Sequence, residues 1–122
     1  MIGIDLVSIK RIESLVKKYD MTFLKRILND DEISLVKNDK NFNINRISGF
    51  FATKEALSKA LGCGIGGDLR FLDICIYKDN KGQPIIKLDS SLMQKFNIKK
   101  IDLSISHDKD YAVAVVQINY NL

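Results

Sequence analysis

The sequence predicts an α+β fold, with helices mainly in the first half packed on a small antiparallel sheet. Two observations carry that expectation. From Ile9 to Leu61 the apolar residues recur at helical spacing, and beyond Leu72 they fall in short, often alternating runs separated by turn residues. At 122 residues the chain is expected to form a single domain, 1–122.

Ile2 to Val7 reads as a strand interrupted by Asp5, and Ser8 as the cap of a first helix. Ile9, Ile12, Leu15, Val16 and Tyr19 fall on one face of that helix, with Lys10, Arg11, Lys17 and Lys18 roughly opposite. This basic face is either plain solvated surface or a docking site for an acidic partner. Phe23, Leu24, Ile27 and Leu28 mark a second short helix carrying Lys25 and Arg26 outward. Asn29 and Glu32 stand at capping-box spacing and open a third, with Ile33, Leu35 and Val36 as its apolar side. Lys37 to Asn45 is polar and reads as a loop. A long helix then runs from about Arg46 to Leu61, ended by Gly62 as its left-handed residue.

The glycine loop from Cys63 to Gly67 follows a helix instead of preceding one, so the helix-dipole argument for phosphate binding does not apply. Leu72 to Tyr77 reads as a strand, Asp79 to Gly82 as a turn, and Ile85 to Leu88 as the returning strand. Asp89 or Ser90 caps a short helix to about Phe96. Ile101, Leu103 and Ile105, then Val113 and Val115, flank a second hairpin turn at His107-Asp108-Lys109-Asp110.

Composition excludes several classes. No apolar run is long enough to cross a bilayer, and no basic leader or cleavage site opens the chain, so a cytoplasmic protein without a membrane partner is expected. Two cysteines and one histidine make no zinc set, and Cys75 reads as a small buried hydrophobe. A net charge of +4 predicts attraction to an acidic partner: nucleic acid, a phosphorylated cofactor or an acidic protein. There is no Ser nucleophile elbow, Walker loop or dinucleotide fingerprint.

Three elements could carry chemistry. Asp5 stands in an apolar strand and needs a cation or a basic side chain if it is buried, while Gly3 leaves room for close approach. Glu55 and Lys59 lie one turn apart and read either as a surface ion pair or as a metal ligand beside a phosphate contact. Phe51 shares their stripe. His107 lies between two strands, and Ser104 and Ser106 mark one solvated or ligand-facing side of the sheet.

These elements occur in an order that resembles the small 4′-phosphopantetheinyl transferases, most closely the short members that act on acyl carrier protein. Gly3-Ile4-Asp5 with Arg11-Ile12-Glu13 resembles the opening motif, and Phe51-Ala52-Thr53-Lys54-Glu55-Ala56 with Lys59, Ala60 and Gly62 the second. Gly64-Ile65-Gly66, Gly82 with Pro84, Ser104-Ile105-Ser106-His107 and Tyr111-Ala112 complete the pattern over nearly the whole chain. The resemblance implies transfer of phosphopantetheine from coenzyme A to a serine of apo acyl carrier protein, in fatty acid biosynthesis. It implies that Asp5 and Glu55 bind Mg²⁺ and that Lys59 contacts the coenzyme's phosphate. It also implies that Gly62, Gly64, Gly66, Pro84, Ser106 and His107 line the coenzyme, with His107 a candidate base. Arg11 would contact the carrier protein, joined by Lys18, Lys25 and Arg26. The resemblance further implies a homotrimer with sites between subunits, the form of the family's short members, which this length fits.

One departure stands out: where many relatives carry an arginine for the coenzyme's 3′-phosphate, this chain has Phe50, and Arg46 one turn earlier is the substitute. Two rivals share some of these features. A broader-specificity transferase for carrier domains of secondary metabolism would carry the same motifs. A small basic nucleic-acid-binding domain fits less well, because exposed aromatic platforms are not interleaved with the basic residues and Trp is absent.

Overall fold

The computed structural model describes residues 1–122. Strand β1 (Ile2–Ser8) leads into helices α1 (Ile9–Tyr19), α2 (Met21–Ile27) and α3 (Asp30–Val36). The two-residue strands β2 (Lys37–Asn38) and β3 (Asn41–Phe42) precede helix α4 (Ile44–Ala60). One 3-10 turn (Phe71–Asp73), the hairpin β4 (Cys75–Lys78) and β5 (Pro84–Lys87), helix α5 (Ser90–Lys95) and the long strands β6 (Ile98–His107) and β7 (Tyr111–Tyr120) complete it. The α+β expectation holds.

The main sheet has the order β1-β7-β6 and is antiparallel throughout, with Asp5 opposite Ala114 and Ala114 opposite Ile105. Alternation gives it two faces. Val7, Ala112, Ala114, Val116 and Ile118 point inward to the core. Ile2, Ile4, Leu6 and Val115 are exposed on the opposite face, with Ile2, Ile4 and Leu6 each more than half accessible.

Helix α4 is buried around most of its circumference, as a central helix must be. It crosses the inner face obliquely, and small residues permit the crossing. A Cβ on Gly3 would lie 2.6 Å from Ala60 N and closer still to Ala56 O; one on Gly49 would lie 3.0 Å from the Ile105 side chain. The early half of α4 therefore rides over β6 and the late half over β1. The room predicted at Gly3 is taken by this helix backbone.

Local capping follows the sequence closely. Ser8 accepts from Arg11 N, Asn29 and Glu32 form the full capping box, and Asp89 accepts from Leu92 N. Gly62 adopts φ +76° just past α4. Three readings need correction. The polar stretch before α4 contains the small β2–β3 hairpin, turned at Asp39 with φ 52°, and Asn43 caps α4 two residues earlier than expected. The strand expected from Leu72 begins only at Cys75, because Phe71–Asp73 is wound into the 3-10 turn. Cys75 is only partly buried, and its sulfur accepts an N–H from Asn29 Nδ2 at 3.3 Å. No helix is long and apolar enough to cross a membrane.

Candidate active site

The close crossing of β1 and α4 brings Asp5, Glu55 and Lys59 together. Asp5 is on the inward face of β1, with a side chain 14 % exposed. Lys59 Nζ donates to Asp5 Oδ1 at 2.8 Å and to Ile4 O at 3.3 Å. The compensating partner expected for Asp5 is thus a lysine 54 residues away, and the lysine reaches the strand. That ion pair holds the Lys59 ammonium above its ordinary pKa through its hydrogen bond to Asp5.

Glu55, half-buried, has its carboxyl pushed above the usual carboxylate range, first by burial and then by the charge of Asp5. Lys59 and Arg11 partly offset the shift. A half-buried Glu55 carboxyl raised by burial and by the neighbouring Asp5 charge is one that a bound cation would relieve. Oxygen-only donors, few in number and open on one side, suit Mg²⁺, which keeps waters and completes its shell with substrate phosphates. No cluster of three or more His, Cys, Asp or Glu side chains offers a complete protein cage. The donor set therefore fits an ion held jointly by protein and substrate.

A second group of the expected residues lies elsewhere. Arg46 is nine residues before Glu55, which places it about 13 Å along α4 and on its opposite face. Arg46, His107 and Pro84 line a cleft of about 440 Å³ together with Asn43, Asn45, Phe50 and Lys78. His107 ends β6, two strand spacings or about 10 Å across the sheet from β1. It lines this cleft from the same inward face of the sheet as Asp5, two strands across. Ser106 lies on the other face of the sheet from His107, as strand alternation requires, opposite Val113.

Sequence reasoning missed Lys78. Crowding around its ammonium and the neighbouring Arg46 guanidinium lower its pKa, with Asp79 opposing. Arg46 itself donates to Leu35 O at 2.8 Å. Two cations and a histidine around one cleft are a lining that an anion would match. The signal available in sequence was only a lysine at a strand end. Phe50, 1 % exposed, is part of the core beneath the same cleft.

The glycine loop contributes space. The N–H groups of Gly62, Gly64 and Gly66 donate to Lys59 O, Ser58 O and Leu69 O. A Cβ on any of the three would meet nothing within 4 Å. Their amides are engaged, so the loop offers a ligand open room beside α4.

The basic residues of α1 and α2 expected to meet a carrier protein, Arg11, Lys18, Lys25 and Arg26, are all solvent-facing. Between the two helices lies a shallow groove of about 430 Å³ lined by Leu15, Tyr19, Thr22, Phe23 and Arg26. A cationic rim around apolar side chains is the surface that an acidic, partly apolar partner helix would match.

The chain as a whole is similar to known proteins. The family model described as the 4′-phosphopantetheinyl transferase superfamily matches residues 1–116. A holo-[acyl-carrier-protein] synthase of Campylobacter fetus is 50 % identical over 116 residues, 95 % of this chain and 96 % of that protein. The crystal structure of the Helicobacter pylori holo-[acyl-carrier-protein] synthase in complex with coenzyme A has 53 % identity and a TM-score of 0.91, covering 98 % of this chain and 100 % of that one. The Bacillus anthracis holo-(acyl-carrier-protein) synthase, in complex with CoA (3′,5′-ADP), has 36 % identity and a TM-score of 0.81 over 98 % and 96 % of the two chains. With a family model matching residues 1–116 and relatives at about half identity over nearly the whole chain, the chain belongs to the 4′-phosphopantetheinyl transferase superfamily.

Proposed function

We propose that this protein transfers the 4′-phosphopantetheine group of coenzyme A to a serine of apo acyl carrier protein, releasing 3′,5′-ADP, in the cytoplasm and in support of fatty acid biosynthesis. The observation that carries the reading is the meeting of Asp5, Glu55 and Lys59 across the β1–α4 crossing.

Asp5 and Glu55 would hold Mg²⁺, which when bound neutralises pyrophosphate charge as the bond to the leaving group breaks. Lys59, now paired to Asp5 and half-exposed, is free to swing its ammonium to a phosphate oxygen. The glycine loop gives the pantetheine arm room beside the acidic pair. At the other end of α4, Arg46 and Lys78 would grip the 3′-phosphate, the task left open by Phe50, with Pro84 and His107 beside the nucleoside. His107 would serve coenzyme recognition better than proton abstraction, because it lines the cleft of Arg46 and Lys78, two strands across the sheet from Asp5.

One coenzyme cannot easily span both groups on a single chain, since they lie on opposite faces of α4. A homotrimer resolves this by letting one subunit supply the acidic pair and its neighbour the cationic cleft. The exposed apolar sheet face of Ile2, Ile4, Leu6 and Val115 gives such an assembly a surface to bury. Arg11, Lys18, Lys25 and Arg26 would steer the acidic carrier protein onto α1 and α2.

Intact-mass measurement of apo acyl carrier protein, after incubation with the protein, coenzyme A and Mg²⁺, tests the reading. A phosphopantetheine adduct is expected with the wild type and none with folded Asp5→Ala or Glu55→Ala. Near-wild-type transfer by either variant at low Mg²⁺ would refute the metal assignment.

A further inference from the structure

Lys54 precedes Glu55 directly yet takes no part in the acidic pair. Its side chain and that of Glu32 are wholly buried, with the charged groups 2.8 Å apart. All three ammonium protons are engaged: Nζ donates to Ile27 O at 2.7 Å, Glu32 Oε1 at 2.8 Å and Phe71 O at 3.1 Å. Glu32 in turn accepts from Asn29 N at 2.8 Å and from Ile76 N at 2.9 Å. One ion pair thus joins the end of α2, the start of α3, α4, the 3-10 turn and β4.

The contact with Ile27 matters most. Helix α2 has seven residues, too few to hold helical form alone. The chain passes from α1 to it through a single residue, Asp20, at φ 51°. Its last carbonyls carry the negative end of the helix dipole, and the Lys54 ammonium sits against one of them. The outer side of the same short helix carries Lys25 and Arg26.

We propose that Lys54 is a positioning residue: it fixes the docking helix α2 to α4, and so sets where the carrier protein lies relative to Glu55. The inference rests on the carrier-protein docking proposed above. Loosening the tie should weaken carrier-protein engagement and leave coenzyme binding alone, because the Arg46–Lys78 cleft shares none of these contacts.

Lys54→Met alone strands the Glu32 charge in the core and is expected to unfold the chain. The informative variant is therefore Lys54→Met with Glu32→Gln, which removes both charges at nearly constant volume. It is expected to fold by circular dichroism and to bind 3′,5′-ADP with wild-type affinity by calorimetry. Its KM for acyl carrier protein should rise roughly five-fold or more. Hydrogen exchange should quicken in α2 and not in the late half of α4. An unchanged carrier-protein KM in the folded double variant, or an equal loss of 3′,5′-ADP binding, overturns the proposal. If that variant does not fold, exchange in the wild type decides. The tie predicts α2 amides as protected as those of α4, and exchange of α2 at fraying rates overturns it. A wild-type protein that binds acyl carrier protein but transfers nothing would sink the transferase reading and not this one.

Discussion

Replacing Gly3 by alanine should damage the site without touching any of its side chains. The added Cβ would lie 2.6 Å from Ala60 N and 2.9 Å from Ala60 Cβ, with Ala56 O nearer still. None of these atoms belongs to a flexible side-chain end, so the strand and helix must part by roughly 1 Å to restore ordinary contact. Asp5 stands two residues along that strand, while Glu55 and Lys59 are on the helix it would leave. Overpacking of this kind costs about 1–3 kcal/mol of stability. A 1 Å misplacement of reacting groups costs on the order of 100-fold in rate. Gly49→Ala is the natural control, since its Cβ would press only on Ile105 Cγ2, at 3.0 Å, which can give way. Urea unfolding and carrier-protein modification kinetics would be measured on both variants. The expected result is a large loss of turnover in Gly3→Ala and a small one in Gly49→Ala. Equal stability and equal turnover for the two would refute the idea that the tight crossing sets the acidic pair.

Other consequences follow from the charges. Because burial and Asp5 raise the Glu55 pKa in the folded state, folded protein binds that proton more tightly than unfolded protein. Its stability contribution therefore falls as pH rises from the ordinary carboxylate range through the raised value. Glu55→Gln should melt higher than wild type at neutral pH, lose that advantage in acid, and transfer nothing; thermal melts against pH check this. Arg46→Ala and Lys78→Ala should each erode the preference for coenzyme A over 3′-dephospho-coenzyme A, read as the ratio of kcat/KM values for the two. An undiminished ratio in both variants would remove the cleft from 3′-phosphate recognition. Rising salt should lower kcat/KM for acyl carrier protein while leaving 3′,5′-ADP affinity less affected. Arg11→Ala and Arg26→Ala should each flatten that salt dependence, checked by kinetics between low and moderate ionic strength.

What could be read from the chain was mostly what is local. Ser8, Asn29 with Glu32, and Asp89 cap their helices through contacts three residues long, and sequence spacing reports those directly. Alternation along β6 and β7 was equally plain. The β2–β3 hairpin escaped because two-residue strands, Lys-Asn and Asn-Phe, are too short to carry periodicity. Glu32 was understood only as a cap, although its second role is to meet Lys54, 22 residues away in the core. The motif residues Asp5, Glu55 and Lys59 were identified, but spacing offered Lys59 only Glu55, one turn away, as an ion-pair partner, or else a phosphate. The chain crossing places it on Asp5 instead, 54 residues distant. Lys78 was invisible because its meaning comes from Arg46, 32 positions earlier, across the cleft.

The most direct test of the central claim is stoichiometric. Coenzyme A, Mg²⁺ and apo acyl carrier protein would be incubated with the protein, and both products counted, holo carrier protein by intact mass and 3′,5′-ADP by chromatography. One nucleotide released for each carrier protein modified, and neither product with a carrier protein whose acceptor serine is alanine, is the predicted result. Release of 3′,5′-ADP without a modified carrier protein, or no release at all from folded enzyme, would contradict it.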